Sequence, residues 1–352
     1  MSDRARETRR SDWRDLLRGD PLPWLLEPTN PSVRYLTLTQ LLDRPEDDPQ
    51  VQAARGQIEG SRPVQEILAA QYPAGYWMRP GIGYSPKYRA TLWQIIFLAE
   101  LRMQRNEALD RAVVHAIRQA QRPDGHFIAN RERGGAILCL HGNLLRALVL
   151  LGYGEEPAVQ RGWEALAQAV ERGGFHCRYN GGLPCAWGAV KALRAIVTLP
   201  SERRPPILEQ ALAAAADFLL AHDPMAATYP TPTRPSPRWF QLGFPPTHEA
   251  DLLELLEALV AAGRGDDERL LPLLRWLLAR QDEAGRWRLG RTPSPTWTAF
   301  ETVGRPSRWI TWRALRLLKR LFASDLPQDL PELLEGDRRH RLGGGDAEAV
   351  GQ

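Results

Sequence analysis

The residue types best suited to chemistry are the three cysteines, which lie close together in the chain and beside histidines. They occur in the segments Cys139-Leu-His141, His176-Cys177 and Pro184-Cys185, and the 352-residue chain contains no other cysteine. Thiolates and imidazole are the ligands that a tetrahedral zinc ion prefers. We therefore predict that Cys139, Cys177 and Cys185, with His141 as the fourth ligand, bind Zn²⁺.

The coordination number decides what such a metal would do. Residues two apart on a regular helix point in different directions, so Cys139 and His141 bind one ion only if the helix start is irregular. Four ligands make a closed, structural site, whereas three leave a position open for water, a thiolate or a phosphate. His176 and His248 are reserve ligands. In the alternative interpretation the cysteines are ordinary small buried residues.

Composition limits the class of protein. The length allows one large domain or two small ones, and 43% hydrophobic residues support a sizeable core. No apolar run is long enough to span a membrane, and the polar first 18 residues do not resemble a signal peptide. Acidic and basic residues are interleaved around a net charge of +4, which argues against nucleic-acid binding. Unpaired thiols favour a cytoplasmic location.

The elements that would position these cysteines and histidines are helices, because helical spacing of apolar residues dominates the chain. The helices are of two kinds. Apolar helices, typical of buried positions, are predicted at residues 32–42, 86–101, 135–151, 184–199, 247–262 and 306–321. Amphipathic helices are predicted between them at residues 48–70, 107–120, 157–170, 206–221 and 268–280. This alternation predicts an all-α double ring with a central cavity. We expect one domain over residues 21–335, between disordered segments at 1–20 and 336–352.

Three of the amphipathic helices end in the same short sequence motif, which we call the glutamine phrase. It occurs as Gln71-Tyr-Pro-Ala-Gly75-Tyr-Trp77, Gln121-Arg-Pro-Asp-Gly125-His-Phe127 and Gln281-Asp-Glu-Ala-Gly285-Arg-Trp287. A degenerate copy stands at Gly173-Gly174-Phe175. The glycine ends the helix in a left-handed turn, and the glutamine amide is free to bond a neighbouring backbone. These residues are therefore expected to staple adjacent repeats together, not to catalyse.

The phrases and the helix alternation resemble the QW motifs of the terpenoid cyclase and protein prenyltransferase superfamily, over about residues 30–323. The resemblance implies an α/α toroid (α6/α6 barrel) of about six inner/outer helix pairs. It also implies an active site in the central cavity, at the end of the ring where the inner helices begin. The chain resembles, in addition, a group of prokaryotic single-toroid, squalene-cyclase-like proteins for which the resemblance implies no established reaction.

The sequence differs from members of these families at their catalytic motifs, and the differences limit which activity the resemblance implies. Squalene-type cyclases protonate an alkene with an Asp-x-Asp-Asp motif, which this chain lacks, and they carry two toroids. Protein prenyltransferases hold zinc with Asp, Cys and His, but at a different repeat from the one that carries Cys139 here. Lantibiotic cyclases are also similar: these toroids bind zinc with two Cys and one His and activate a substrate thiol.

Polar and aromatic residues near the starts of the inner helices are the remaining candidates. An aromatic cavity with a cationic rim suits an isoprenoid diphosphate, whose phosphates would meet Arg or Lys. The candidate substrate contacts are Lys87, Arg89, Trp93, Asn143, Trp187, Lys191, Trp239, Phe244, Trp309 and Arg313. The candidate catalytic residues are Tyr88, Asp251 and Glu254. Helix capping by Asp251 is the simpler alternative.

Three hypotheses follow for function. The first is a zinc-containing toroid enzyme acting on a hydrophobic, isoprenoid substrate. The second is a thiol-activating zinc enzyme similar to lantibiotic cyclases. The third is a non-enzymatic toroid with a structural zinc that binds a peptide or lipid. Peripheral contact with a membrane is compatible with all three, and the sequence leaves the oligomeric state open.

Overall fold

The computed structural model describes residues 12–131, 137–223, 225 and 236–323, and within these ranges the chain is helical with only isolated β-bridges. Thirteen α-helices occur in this part of the chain. They are α1 Leu22–Leu25, α2 Pro31–Gln40, α3 Pro49–Gly56, α4 Arg62–Ala69, α5 Thr91–Glu100, α6 Glu107–Ala120, α7 Leu138–Leu150, α8 Pro157–Gly173, α9 Ala186–Ile196, α10 Pro206–Leu220, α11 Leu252–Ala261, α12 Leu271–Leu278 and α13 Arg308–Ala323. None of these helices is both long and apolar enough to cross a membrane.

Six helices form the inner ring, namely α2, α5, α7, α9, α11 and α13. Helix α5 packs against α7, α7 against α9, α9 against α11, α11 against α13, and α13 against α2. The Ser32 hydroxyl donates to the carbonyl of Leu101, just after α5, at 2.6 Å and so links α2 to α5. The predicted all-α toroid is confirmed in its helical class and in this ring of packed helices.

The outer layer alternates with the inner ring along the chain. Helix α6 packs on α5, α8 on α7, and α10 on both α8 and α9. The predicted bounds of α6 are confirmed, whereas the predicted helix 48–70 is two helices, α3 and α4. The break has a local cause: Gly60 and Pro63 stand at the junction, and both residues disfavour a continuing helix. The predicted helix 268–280 likewise begins as a 3-10 turn before α12.

The segment before α1 packs against the last inner helix, α13. A 3-10 turn at Trp13–Leu16 contacts α13, and Trp13 is buried. The expectation of disorder through residue 20 is therefore corrected for residues 12–20, since an indole that reaches the core holds the segment in place. The predicted tail 336–352 and residues 1–11 lie outside the described residues.

The glutamine phrases connect one repeat to the next, as predicted. Two of the glutamine amides donate to a backbone carbonyl in the first turn of the next outer helix: Gln71 to Ala108 at 2.9 Å and Gln121 to Ala158 at 2.7 Å. The third, Gln281, donates at 3.1 Å to Leu16, the last residue of the 3-10 turn Trp13–Leu16. The backbone N–H of each aromatic donates to a side chain of the following inner helix: Trp77 to Thr91, Phe127 to His141, and Trp287 to Thr311. Both contacts lie between neighbouring repeats and close gaps in their backbone hydrogen bonding.

Ion pairs fill the middle of the ring, where a hollow cavity was expected. Five inner helices contribute to pairs that join Glu100 to Arg146, Glu254 to Lys191 and Arg194, and Glu257 to Arg313 and Arg316. The Lys191 and Glu254 side chains are almost fully buried. These pairs bury charged side chains inside the ring, and the two cavities described below lie near the starts and near the ends of the inner helices.

Candidate functional site

A cavity of about 390 Å³ opens at the end of the ring where inner helices begin. Its wall includes Tyr84, Lys87, Ile137, Cys139, Cys177, Tyr179, Cys185, Trp187 and His248. Each of the key side chains is placed by a helix start. Lys87 precedes α5, Cys139 lies in the first turn of α7, Cys185 is the N-cap of α9, and His248 precedes α11. Side chains from four repeats therefore meet at one cavity.

The three predicted cysteine ligands do meet at this cavity. A short hairpin holds two of them: the Cys177 N–H donates to the carbonyl of Leu183 at 3.0 Å, and the Cys185 N–H donates to Phe175 at 2.7 Å. None of the cysteines forms a disulfide. Burial raises the pKa of the Cys139 thiol to about 11, and the hydrogen bond to Cys177, together with burial, raises the pKa of Cys185. Cys139 and Cys185 are therefore neutral thiols at neutral pH.

His141 does not join the cysteines. Its Nδ1 accepts the N–H of Phe127 at 3.1 Å, so its Nε2 carries the proton and donates to the carbonyl of Gly162 at 2.8 Å. The side chain is fully buried, and burial lowers the pKa of His141 to about 4. Helix α7 is regular at this point, so residues 139 and 141 diverge, which is the restriction that the spacing imposed.

The predicted zinc set does not fit this arrangement. Within the described ranges, no group of three or more His, Cys, Asp or Glu side chains stands where it would hold a metal ion. His141 is committed to two backbone groups, and His176 bonds the carbonyl of Gly182 through Nδ1 at 2.6 Å. Zinc binding therefore stays a prediction from the sequence.

Lys87 and His248 form the polar end of the cavity. The Lys87 Nζ lies 3.5 Å from Nε2 of His248, and the Tyr88 hydroxyl lies 3.5 Å from its Nδ1. Burial, with Lys87 as the next contributor, lowers the pKa of His248 to about 3. The imidazole is therefore neutral at pH 7 and serves the Lys87 ammonium as an acceptor.

Lys87 differs from the other two lysines of the chain in its partners. Lys191 is paired with Glu254 at 2.6 Å and Lys319 with Asp43 at 2.5 Å. No carboxylate in the described part of the chain lies within ion-pair distance of Lys87, and burial lowers its pKa. An ammonium group has three donors, and a neutral imidazole takes only one of them. The cavity therefore contains a partly buried cation that an anionic group would stabilise.

Aromatic rings line and support this polar end. Lys87 Nζ lies 5.4 Å from the ring centroid of Tyr84, and Trp187 meets His248 edge-on at 6.3 Å. Trp93 stands behind the wall: its indole N–H donates to the carbonyl of Tyr84 at 2.8 Å, and its ring contacts Tyr88 edge-on. Trp239 is fully buried, 6.4 Å from Trp187. Of the predicted aromatic contacts, Trp187 lines the cavity, while Trp93 and Trp239 pack behind it.

The predicted carboxylates have structural partners instead of an open site. Asp251 is the N-cap of α11, accepting from the N–H of Glu254 at 2.8 Å and from Gly243 at 2.7 Å, so the capping alternative is confirmed. Glu254 accepts from both Lys191 and Arg194. These cations hold the pKa of Glu254 down to about 2 even though burial opposes them. The geometry therefore argues against an acid or base role for either carboxylate.

The remaining predicted contacts also lie away from the cavity wall. Arg313 pairs with Glu257, and Phe244 stacks on Trp309 with centroids 4.0 Å apart. The Asn143 amide donates to the carbonyl of Thr247 at 2.8 Å, and the Arg89 guanidinium lies over Trp297. His248, by contrast, lines the cavity and contacts both Lys87 and Tyr88, although the sequence indicated it only as a reserve metal ligand. Its signal was its position just before an inner helix, the same relation that Lys87 has to α5.

Comparisons with known proteins add little to this geometry. No protein-family profile matches the sequence, and no curated protein matches it. Among solved structures, the chain is similar to a variant of the type II terpene cyclase MstE from Scytonema in complex with its product merosterolic acid A. The TM-score is 0.30 and the identity 16%, over 76% of this chain and 98% of that chain. At this level the likeness determines neither substrate nor reaction, so the helical ring rests on its own contacts.

Proposed function

We propose that the protein binds and acts on an amphiphilic small molecule with an anionic head and an apolar tail, and that a prenyl diphosphate is its substrate. The observation that carries this proposal is Lys87, a partly buried cation with no carboxylate partner in the described chain, at the end of an aromatic-lined cavity. The phrase-based resemblance to isoprenoid-processing toroids supports the apolar tail. The proposal does not depend on the MstE likeness.

The cavity offers complementary surfaces to such a molecule. Its volume of about 390 Å³ lies at the lower end of the range for small-molecule sites. The tail would lie against Tyr84, Ile137 and Trp187. The head would meet Lys87 and the first turns of α7 and α9, which have no side-chain caps. Helix N-termini carry partial positive charge and favour anions.

The protonation states suggest what the chain's own residues contribute. The Cys139 thiol and the Tyr84 hydroxyl both have raised pKa values, so neither is a ready nucleophile. A bound anion would raise the pKa of Lys87 and His248, because it favours their charged forms. The residues therefore serve first to neutralise the head group and to exclude water from the tail.

Thiol activation by zinc is the second candidate function. The observation that favours it is that Cys139, Cys177 and Cys185 all line the same cavity. Against it stands the separate role of His141, whose two ring nitrogens are bonded to backbone groups, so that it does not join the three thiols. The third alternative is a non-enzymatic toroid with a structural zinc that binds a peptide or lipid in the same cavity and forms no product.

The proposal is tested by titrating the protein with farnesyl diphosphate and with farnesol while following tryptophan fluorescence. We expect the diphosphate to bind more tightly than the alcohol, and Lys87→Met to weaken its binding by about 10- to 100-fold, the usual range for one charge-assisted hydrogen bond. Binding should also weaken as pH rises through the lowered pKa of Lys87, because only the ammonium attracts the head.

Lys319→Met is the matched control, because Lys319 pairs with Asp43 away from the cavity. This variant should bind like the wild type, and farnesol should bind both variants equally. Equal affinity for alcohol and diphosphate in the wild type, or an unchanged affinity in Lys87→Met, would overturn the proposal. Mass spectrometry of the mixture then separates an enzyme from a binding protein.

A further inference from the structure

A second pocket, of about 420 Å³, lies at the opposite end of the inner helices. It is bounded by the last residues of α2 and α7 and by the loop that follows α5, whereas the first cavity lies before α5 and at the start of α7. Three arginines line it, namely Arg55, Arg102 and Arg105, together with Tyr35. No carboxylate is among its lining residues. The charged residues of its wall are therefore all arginines.

Arg102 is the unusual member of this set. Arg55 pairs with Glu46 at 2.9 Å and Arg105 with Asp110 at 2.8 Å, both near the surface. Arg102 is partly buried, its Nε is buried without a hydrogen-bond partner, and no described carboxylate lies within ion-pair distance of it. Guanidinium groups that are taken out of water normally gain such a partner, because an unpaired buried charge is costly.

The groups packed around Arg102 do not relieve this cost. Glu100 is the nearest carboxylate along the chain, but Arg146 occupies it. Burial, and next the charge of Arg146, lowers the pKa of Arg102 to about 10, so the guanidinium remains charged at neutral pH. The carbonyl end of α5 offers only partial negative charge. Arg102 therefore has unused donor capacity beside a pocket large enough for a small organic molecule.

We propose that this pocket binds a small organic oxyanion of the phosphomonoester type, held by Arg102 and flanked by Arg55 and Arg105. The planar guanidinium presents paired N–H donors that match the oxygens of a phosphate. A carboxylate shares part of this chemistry, so a dicarboxylate is the competing ligand in the test. The site is independent of the cavity at Lys87 and stands whether or not that cavity binds a prenyl diphosphate.

The test compares the thermal unfolding of the whole protein in glycerol 3-phosphate, in succinate and in sodium chloride at equal ionic strength. A ligand that binds only the folded state raises its stability with concentration. We expect glycerol 3-phosphate to raise the midpoint beyond the salt control, with succinate giving a smaller rise. Calorimetry should show affinity reduced at least about tenfold in Arg102→Gln and less in Arg102→Lys.

Two control variants show whether the response belongs to this pocket. Arg118→Gln removes an exposed arginine of α6, and Lys87→Met alters the other cavity, so both should keep the full response. Ligand-free Arg102→Gln should be at least as stable as the wild type, because it loses an unpaired buried charge. No rise beyond the salt control, an unchanged affinity in Arg102→Gln, or a large stability loss in that variant without ligand would each overturn the proposal.

Discussion

The imidazole of His141 joins two repeats by using both of its nitrogens. Its Nδ1 accepts a hydrogen bond from the backbone N–H of Phe127, and its Nε2–H donates one to the carbonyl of Gly162 on α8. In two other repeats a threonine hydroxyl, from Thr91 or Thr311, accepts the equivalent backbone N–H. A residue type that suggested metal binding thus serves the hydrogen bonding of the ring.

His141→Ala is expected to lower the free energy of unfolding by about 2–6 kcal/mol. The variant leaves two buried backbone groups unpaired, and each costs about 1–3 kcal/mol. Urea unfolding of His141→Ala and of Thr311→Ala measures the difference in their free energies of unfolding. Thr311→Ala leaves only one such group unpaired. A loss in His141→Ala no larger than in Thr311→Ala would contradict the two-sided role.

The same residue gives a pH signature. The folded-state pKa of His141 is about 4, below the unfolded value near 6.5, so its contribution to stability is full above pH 6.5 and is lost as pH falls toward 4. That loss is about 3 kcal/mol at 1.36 kcal/mol per pKa unit. His141→Ala should therefore show a flatter fall in stability over this window than the wild type does.

Elemental analysis tests the zinc prediction at the same scale. His141→Ala should hold as much metal as the wild type, whatever that amount is, because His141 lies apart from the cysteines. One zinc per chain that disappears in Cys139→Ala, Cys177→Ala and Cys185→Ala would show that the three thiols converge on a metal. Loss of metal in His141→Ala alone would contradict the separation of His141 from the thiols.

At the scale of elements, the glycine of the second phrase sets how closely its turn approaches the next outer helix, α8. Gly125 has φ +89°, and a Cβ there would lie 2.3 Å from the carbonyl oxygen of Arg161 on α8. Gly152 has a similar φ of +85° but has open space around it. The pair therefore separates the cost of backbone conformation from the cost of helix contact.

Gly152→Ala should lose only the conformational term, about 1–2 kcal/mol. Gly125→Ala should lose that amount and more, because the turn at Gly125 and helix α8 must move apart, which strains the hydrogen bond from Gln121 to Ala158. Chemical unfolding of both variants under the same conditions measures the gap. Equal losses would show that helix contact at Gly125 contributes nothing.

At the scale of the whole molecule, buried ion pairs link inner helices whose residues lie far apart in the chain. Glu254 of α11 holds Lys191 and Arg194 of α9, which lie 63 and 60 residues away in the chain. Glu254→Gln leaves both cations without their carboxylate. Breaking a buried pair in this way costs about 3–5 kcal/mol.

We expect Glu254→Gln to lose that stability but to keep its affinity for farnesyl diphosphate under conditions where it is folded. Glu107→Gln, at an exposed glutamate, is the control and should match the wild type in both. In the wild type the pKa of Glu254 is about 2, below its ordinary 4.5. Its contribution is thus present above pH 4.5 and lost as pH falls toward 2. Full stability with lost ligand turnover would instead restore Glu254 as a catalytic group.

The helices and the staples followed from the sequence because both depend on neighbours within a few residues. Apolar spacing marks a helix that must be buried, and the Gln-x-x-x-Gly-aromatic phrase carries its own turn geometry. The cluster of cysteines at one cavity was also predictable, since Cys139 and Cys185 stand at inner-helix starts and Cys177 lies in the loop that leads to the second of them. The break between α3 and α4 also has a local cause, at Gly60 and Pro63.

Only the tertiary structure decided which charges meet. Lys87, Lys191 and Lys319 are equivalent as residue types, yet two have carboxylate partners and one faces a cavity. Those partners come from other helices of the ring, so spacing along the chain does not reveal them. The same holds for Arg102 and for His141, whose partners lie on neighbouring repeats or are missing among the described residues. Burial then sets the cost of each unpaired charge, because a charged group removed from water without a partner loses its hydration.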